Sequence, residues 1–293
     1  MKKLLFVIAL VSIAVWPVAT DAWGMAVHRL ITGLALDGLP LPLRTLYTSQ
    51  RAFVVEHSVD PDLWRLVGLG GELGPEDPNH FLDIDGLDEP PPFTGVPRDH
   101  AAFVARYGKE RAEKAGRLPW RGEEVYGRLV NAFKAMSNGS TYGADNARYL
   151  SAVMAHYVED AHQPMHAVTN YDGQLTNQRG LHSRFETELP LRYWSRMPHP
   201  PAKIQPVTDI KTYLFDTLVK SQSLVAQILD ADKSATAGLA RDANDRLIYT
   251  DAYYAKMDQR LRPMLQQRLA DTVNGVASVI VAAWEAAGKP GGR

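Results

Sequence analysis

The segment ADNARYLSAVMAHYVEDA, at positions 144–161, gives the clearest indication of how this chain folds. Its apolar residues recur every three or four positions, which is the spacing of one face of an α-helix. That face consists of Leu150, Val153, Met154, Tyr157 and Val158. The segment therefore predicts a long amphipathic helix.

The same periodicity recurs along the sequence, at positions 27–37, 99–114, 123–136, 209–231 and 253–287. Alternating patterns of strand length and internal repeats are absent, and the connecting segments are rich in Pro and Gly. No change in composition divides the chain. The sequence therefore predicts one all-α domain over positions 23–287, followed by a flexible tail at 288–293.

The first 22 positions resemble a secretory signal peptide. Two lysines follow Met1, an apolar run occupies positions 4–19, and small residues precede Trp23. We expect cleavage after Ala22 and a secreted or periplasmic protein; an uncleaved membrane anchor is the alternative, although the apolar run is short for a span.

Composition limits the possible chemistry. The formal net charge is −1, so the chain has no general basic field with which to hold a long duplex. It contains no Cys, which excludes disulfides, thiolate metal sites and Cys nucleophiles. Nine His and many carboxylates remain as candidate metal ligands.

His156 and Asp160 lie four positions apart on the predicted helix. Four residues correspond to about 400° of rotation and about 6 Å of rise, so both side chains leave the same face. An imidazole and a carboxylate on a buried face need a partner, and a zinc ion is the simplest one. Pro164 then bends or ends the helix, which lets His166 point toward the same region. By contrast, His162 lies about 240° around the helix from His156, and we interpret it as a hydrogen-bonding neighbour.

A second His–carboxylate pair, His182 and Glu186, has the same spacing and follows a polar loop whose turn residues can bring the chain back to the first helix. The two pairs and His166 together supply five N or O ligands, which suits zinc. Further candidates occur earlier in the sequence, in Trp23-Gly-Met-Ala-Val-His28, in Asp60-Pro-Asp62-Leu-Trp-Arg65 and in His80-Phe81-Leu-Asp83.

These motifs, in this order, resemble the trinuclear zinc phosphoesterases, a superfamily that joins zinc-dependent phospholipase C and the single-strand-specific zinc nucleases. The resemblance covers positions 23 to about 194 and implies an all-α, secreted enzyme with three Zn²⁺ ions. It implies one zinc held by Asp62, His80, His156 and Asp160, and a second held by His166, His182 and Glu186. The third zinc would be held by His28, Asp160 and the amino nitrogen and carbonyl oxygen of Trp23. Asp62 is preferred to Asp60 because Asp-x-x-Arg matches the nuclease pattern.

The resemblance also implies a reaction. A metal-activated hydroxide would attack phosphorus, oriented by Asp62, while Arg65 would bind a nonbridging phosphate oxygen. Phe81 would stack on a base and Asp83 would hydrogen-bond its edge. We therefore expect a nuclease-like hydrolase, an endonuclease or nucleotidase acting on single-stranded nucleic acid or nucleotides. The chain is expected to be a monomer without a stable protein partner.

Two alternatives stay open at this point. Glu186 and the segment Gln163-Pro-Met-His166 resemble phospholipase C, which would act on phospholipid headgroups, whereas Leu63 stands where that enzyme has an aromatic residue. A zinc-binding protein without turnover is the other alternative, although a structural zinc site needs four protein ligands and the second site has three.

Overall fold

The computed structural model describes residues 23–67, 70–71 and 74–291, and it is an all-α single domain. The fold class predicted from the sequence is therefore confirmed. Within the described residues the α-helices are α1 (Met25–Asp37), α2 (Leu41–Thr48), α3 (Arg51–His57), α4 (Asp60–Leu66), α5 (His100–Tyr107), α6 (Lys109–Ala115), α7 (Leu118–Ser137), α8 (Gly143–His162), α9 (Leu181–Ser183), α10 (Leu189–Tyr193), α11 (Ile210–Ser223), α12 (Val225–Thr236) and α13 (Asp251–Ala286).

Shorter elements connect these helices. Two strands of two residues each, β1 (Gly70–Gly71) and β2 (Gly74–Pro75), pair in antiparallel fashion. A π-helical turn, Arg184–Glu188, lies between α9 and α10. The 3₁₀ turns in the described residues are Asp77–His80, Ile84–Gly86, Pro164–Ala167 and Trp194–Arg196.

Helix α8 lies at the centre of the domain. It packs against α7, α13, α11 and α3, and every residue from 151 to 162 is buried. A helix buried on all sides is normally apolar all round. This helix instead carries His156, Glu159, Asp160 and His162 in its buried part. These polar groups need partners inside the domain.

Two of the predicted helices are each two helices in the structure. The segment 99–114 breaks between α5 and α6 at Gly108, whose φ of 80° is left-handed and which glycine adopts without strain. The segment 209–231 breaks at Leu224, between α11 and α12. Helices α2, α3, α4 and α10 were not predicted, because each is too short to show a clear period.

The predicted signal peptide, positions 1–22, lies outside the described residues. None of the helices in the described part is both long and apolar enough to span a bilayer. At the carboxyl end of α13, the carbonyl of Pro290 accepts a hydrogen bond of 2.9 Å from the Trp284 indole. Lys289 pairs with Glu285 at 2.8 Å, while positions 292–293 are not described.

Candidate metal centre

Side chains from seven separate elements meet beside the C-terminal half of α8. Three groups of buried side chains have donor atoms within 4.8 Å of one another and could hold a metal ion. None of these side chains is more than 6% exposed. The groups are His28, Asp62 and His156; His80, His156 and Asp160; and His166, His182 and Glu186. All eight residues were predicted as metal ligands from the sequence.

The spacing within the first predicted ligand set suits a tetrahedral ion. His80 Nδ1 lies 2.9 Å from Asp160 Oδ2 and 3.0 Å from His156 Nε2. Asp62 Oδ1 lies 3.7 Å from His80 Nδ1 and 3.9 Å from His156 Nε2. Bonds of about 2.0–2.1 Å to a tetrahedral zinc place donor atoms about 3.3 Å apart, which is the range seen here.

Unsatisfied polar atoms provide an independent test of whether a cation fits. Both carboxylate oxygens of Asp62, Asp160 Oδ1, Glu186 Oε1 and His28 Nε2 are buried and lack a hydrogen-bond partner within the described structure. Leaving such atoms unpaired costs about 1–3 kcal/mol each, and more when the group is charged. Metal cations bound among these residues would interact with these atoms, so the residues fit bound metal.

Backbone carbonyls orient three of the imidazoles. The Nδ1 atom of His156 lies 2.9 Å from the Ser58 carbonyl. The Nδ1 atom of His166 lies 2.7 Å from the His80 carbonyl, and that of His182 lies 3.0 Å from the Tyr171 carbonyl. A carbonyl can only accept, so Nδ1 carries the hydrogen in each ring and Nε2 offers its lone pair to the centre. The rings are therefore oriented for metal binding before a metal arrives.

The group formed by His166, His182 and Glu186, the predicted second zinc site, does not surround a metal completely. His182 Nε2 lies 2.8 Å from Glu186 Oε2 and 3.2 Å from His166 Nε2. Gln163 donates through Nε2 to Glu186 Oε2 at 2.9 Å, while its Oε1 accepts from the backbone of Met165 at the bend beside Pro164. Three protein donors leave a coordination position for water or substrate, as in catalytic rather than structural zinc sites.

The predicted third position lies between α1 and α8. His28 Nε2 and Asp160 Oδ1 face each other at 3.7 Å, and the His28 ring stacks on His156 with centroids 4.3 Å apart. Trp23 is fully buried and donates through its indole nitrogen to the Glu159 carbonyl at 2.9 Å. The amino nitrogen of Trp23 is a peptide nitrogen in the full chain, so its role as a ligand concerns the processed protein.

Protonation differs among the ligands before a metal binds. Burial lowers the pKa of His28, but the nearby carboxylates, Glu159 foremost with Asp160 and Asp62, together outweigh burial and raise it to about 9. Burial, reinforced by His182, lowers the pKa of His166 to about 3 despite the opposing charge of Asp160. Metal binding must therefore displace a proton from His28 but not from His166.

A cavity of about 480 Å³ opens on three of the candidate metal ligands, His80, His166 and His182. Its wall also includes the residues predicted to contact substrate, which are Arg65, Phe81 and Asp83. Lys114 and Tyr171 lie on the same wall and were not predicted.

The positions of these wall residues have identifiable causes. Arg65 Nη2 lies 3.5 Å from Asp62 Oδ1, across one turn of α4. The backbone of Phe81 packs closely against Gly116, where an added Cβ would lie 2.2 Å from the Phe81 carbonyl oxygen. Burial, with a contribution from Asp85, raises the pKa of Asp83 to about 7.

Three polar residues that support the ligands were missed from the sequence. Glu159 contacts His28, Gln163 contacts Glu186, and Glu76 Oε1 lies 3.7 Å from His80 Nε2. Glu159 carried a usable signal, because it is a charged residue beside Asp160 in an otherwise buried helix. His162, which was not predicted to be a ligand, places Nδ1 2.8 Å from the Val158 carbonyl.

No known protein-family model matches this chain, and a search of curated proteins also finds no match. The family resemblance therefore stays a prediction from the sequence motifs.

Proposed function

We propose that this protein is an exported, zinc-dependent phosphoester hydrolase of the trinuclear zinc phosphoesterase type. Its favoured substrates are single-stranded nucleic acid or nucleotides. Three zinc ions would be held by the predicted sets: Asp62, His80, His156 and Asp160; His166, His182 and Glu186; and Trp23, His28 and Asp160.

One observation carries this proposal: a buried cluster of imidazoles and carboxylates contains several unsatisfied oxygen and nitrogen atoms and borders a cavity. A purely structural network would be expected to satisfy its own polar atoms. Neutral imidazoles with carboxylates, and no thiolate, form a ligand set that suits zinc. The three-residue group at the cavity wall supports catalysis over storage, because a coordination position is left for substrate.

Bound zinc would supply Lewis-acid chemistry, lowering the pKa of a water molecule to about 7 and neutralising charge that develops on phosphate oxygens. The protein's own groups would orient the reactants. Asp62 offers two oxygens without hydrogen-bond partners and would hold the attacking water in line with phosphorus. Arg65, on the cavity wall beside it, would donate to a nonbridging phosphate oxygen.

The cavity wall favours a substrate that carries an aromatic base. Phe81 is partly exposed on this wall, which suits stacking on a base. Asp83 has a pKa of about 7, so near neutral pH its carboxyl group can either donate to or accept from the edge of a base.

A phospholipid is the second candidate substrate, and one feature of α4 favours it. Leu66 and Val67, which directly follow Arg65, are 52% and 68% exposed. Exposed apolar side chains that follow a cavity residue in sequence suit contact with a lipid surface.

The test is hydrolysis of a generic phosphodiester with and without a chelator, followed by parallel assays on single-stranded DNA, RNA and phosphatidylcholine vesicles. We expect chelator-sensitive hydrolysis, with nucleic acid cleaved in preference to vesicles. Activity on vesicles alone would replace the nuclease assignment with phospholipase C. Zinc binding without any turnover would leave a zinc-binding protein and refute the enzyme proposal.

A further inference from the structure

Glu159 is fully buried and contacts two of the three residues of the predicted third metal position, Trp23 and His28. Its side-chain Oε2 is hydrogen-bonded to His28 Nδ1, and its backbone carbonyl accepts from the Trp23 indole at 2.9 Å. Its Oε1 accepts from the Thr32 hydroxyl at 2.8 Å, one turn along α1 from His28. One residue of α8 therefore binds the start of the described chain at three points.

We propose that Glu159 is a positioning residue that creates the third metal position by holding His28 and Trp23 against Asp160. This inference rests on the proposed function only in assuming that the cluster binds metal. Glu159 would not touch the metal or the substrate; it would act through the His28 ring.

The orientation of the His28 ring supports this role. Its Nδ1 is engaged by Glu159, so Nε2 is the nitrogen left to face Asp160 Oδ1 at 3.7 Å. Glu159 and Asp160 are neighbours on α8 and contact opposite nitrogens of the same ring. A carboxylate on the distal nitrogen fixes the orientation of a metal-binding imidazole and makes it a better ligand.

The energetic cost of Glu159 also points to a functional role. Its carboxylate has an imidazole and a hydroxyl as its hydrogen-bonding partners, and Lys and Arg are not among them. Burying a carboxylate together with its imidazole partner is expensive, and replacing both members of such a pair with packed apolar residues is often neutral or stabilising. A group that fixes a metal ligand would justify this cost, whereas simple packing would not.

The test compares Glu159→Gln with Asp258→Asn, a change at another buried carboxylate, which pairs with Arg262 one turn along α13 and is not a predicted metal ligand. Each protein is purified after export from a bacterial host. Bound zinc is measured by elemental analysis across a series of buffered zinc concentrations, and thermal unfolding is measured in chelator.

We expect the parent and Asp258→Asn to bind three zinc ions. Glu159→Gln should keep two at parental affinity and bind the third about 10–100-fold more weakly. Its unfolding temperature in chelator is expected to fall, because the buried His28 ring loses its carboxylate partner. Zinc binding is therefore compared at a temperature at which both variants stay folded. Parental affinity for all three ions would overturn the inference, as would a parent that binds fewer than three. If Glu159→Gln loses one zinc while the parent hydrolyses nothing, only the proposed function fails.

Discussion

Asp60 and Asp62 lie two residues apart in α4, yet their carboxylates face different neighbours. Asp62 is fully buried among the imidazoles of the metal centre, with Oδ1 3.7 Å from His80 Nδ1. Asp60 Oδ2 instead lies 2.8 Å from His57 Nδ1 and accepts from the Tyr149 hydroxyl at 3.1 Å. This arrangement favours Asp62 as the metal-binding member of the pair.

Replacing Asp62 should therefore have a much larger effect than replacing its neighbour. We expect Asp62→Asn to lower kcat by about 10²–10⁴-fold, because the group that orients the attacking water loses its charge. Asp60→Asn should leave kcat within about twofold and cost at most about 1 kcal/mol of stability, since its pairing with His57 is partly exposed. Steady-state kinetics and urea unfolding of both variants provide the measurement. Equal losses of kcat would contradict the assignment.

Gly116 should control the position of Phe81. Its backbone, with φ 95° and ψ 171°, lies in a region that glycine alone adopts freely, and a Cβ there would meet the Phe81 carbonyl. We expect Gly116→Ala to destabilise the protein by about 1–3 kcal/mol and to raise KM for a nucleotide substrate more than it lowers kcat.

Gly127 provides the matched control for this substitution. It is exposed inside α7, and no atom lies within 4 Å of an added Cβ. Gly127→Ala should stabilise the helix by up to about 1 kcal/mol and leave KM unchanged. If the two variants have the same stability and the same KM, the proposed constraint on Phe81 is wrong.

Asp83 should make stability depend on pH. Its pKa is about 7 in the folded protein, above the ordinary value of 3.8, so the fold favours the protonated form. The stability that Asp83 contributes is therefore fully present below about pH 3.8, is lost as the pH rises from there to about 7, and changes no further above that. Asp83→Asn, which stays neutral, should exceed the parent in urea unfolding by more at pH 8 than at pH 5. A stability difference that is the same at both pH values would show that Asp83 does not titrate in this range.

The free amino group of Trp23 is a predicted ligand, and it exists only if the chain is cut after Ala22. A protein that keeps Ala22 in front of Trp23 has an amide nitrogen there, which is a poor zinc ligand. We expect this extended protein to bind one zinc fewer and to hydrolyse phosphodiesters more slowly than one starting at Trp23. Mass spectrometry of the amino terminus with zinc analysis makes the comparison. Full zinc content and full rate in the extended protein would exclude the amino-terminal ligand.

Much of the site could be predicted because its information is local in sequence. The four-residue spacing of His156 and Asp160 placed both side chains on one helix face, and Pro164 indicated the bend that redirects His166. The interruptions within two of the predicted helices were harder to predict from the sequence. The break at Gly108 was not predicted, although glycine is a residue type that ends helices, whereas Leu224 is an ordinary helix-forming residue and nothing local marks it.

The supporting contacts could not be predicted, because they depend on how distant segments pack. Glu159 lies 131 residues from its partner His28, and Gln163 lies 23 residues from its partner Glu186. The separation of Asp60 from Asp62 likewise depends on α3 and α8, which supply His57 and Tyr149 to one carboxylate only.

Metal analysis combined with activity, on the exported protein before and after complete removal of zinc, tests the central claim most directly. The account predicts three zinc ions per chain as purified, loss of phosphodiester hydrolysis when they are removed, and recovery when zinc is returned. Hydrolysis that continues unchanged in protein stripped of all metal would contradict it.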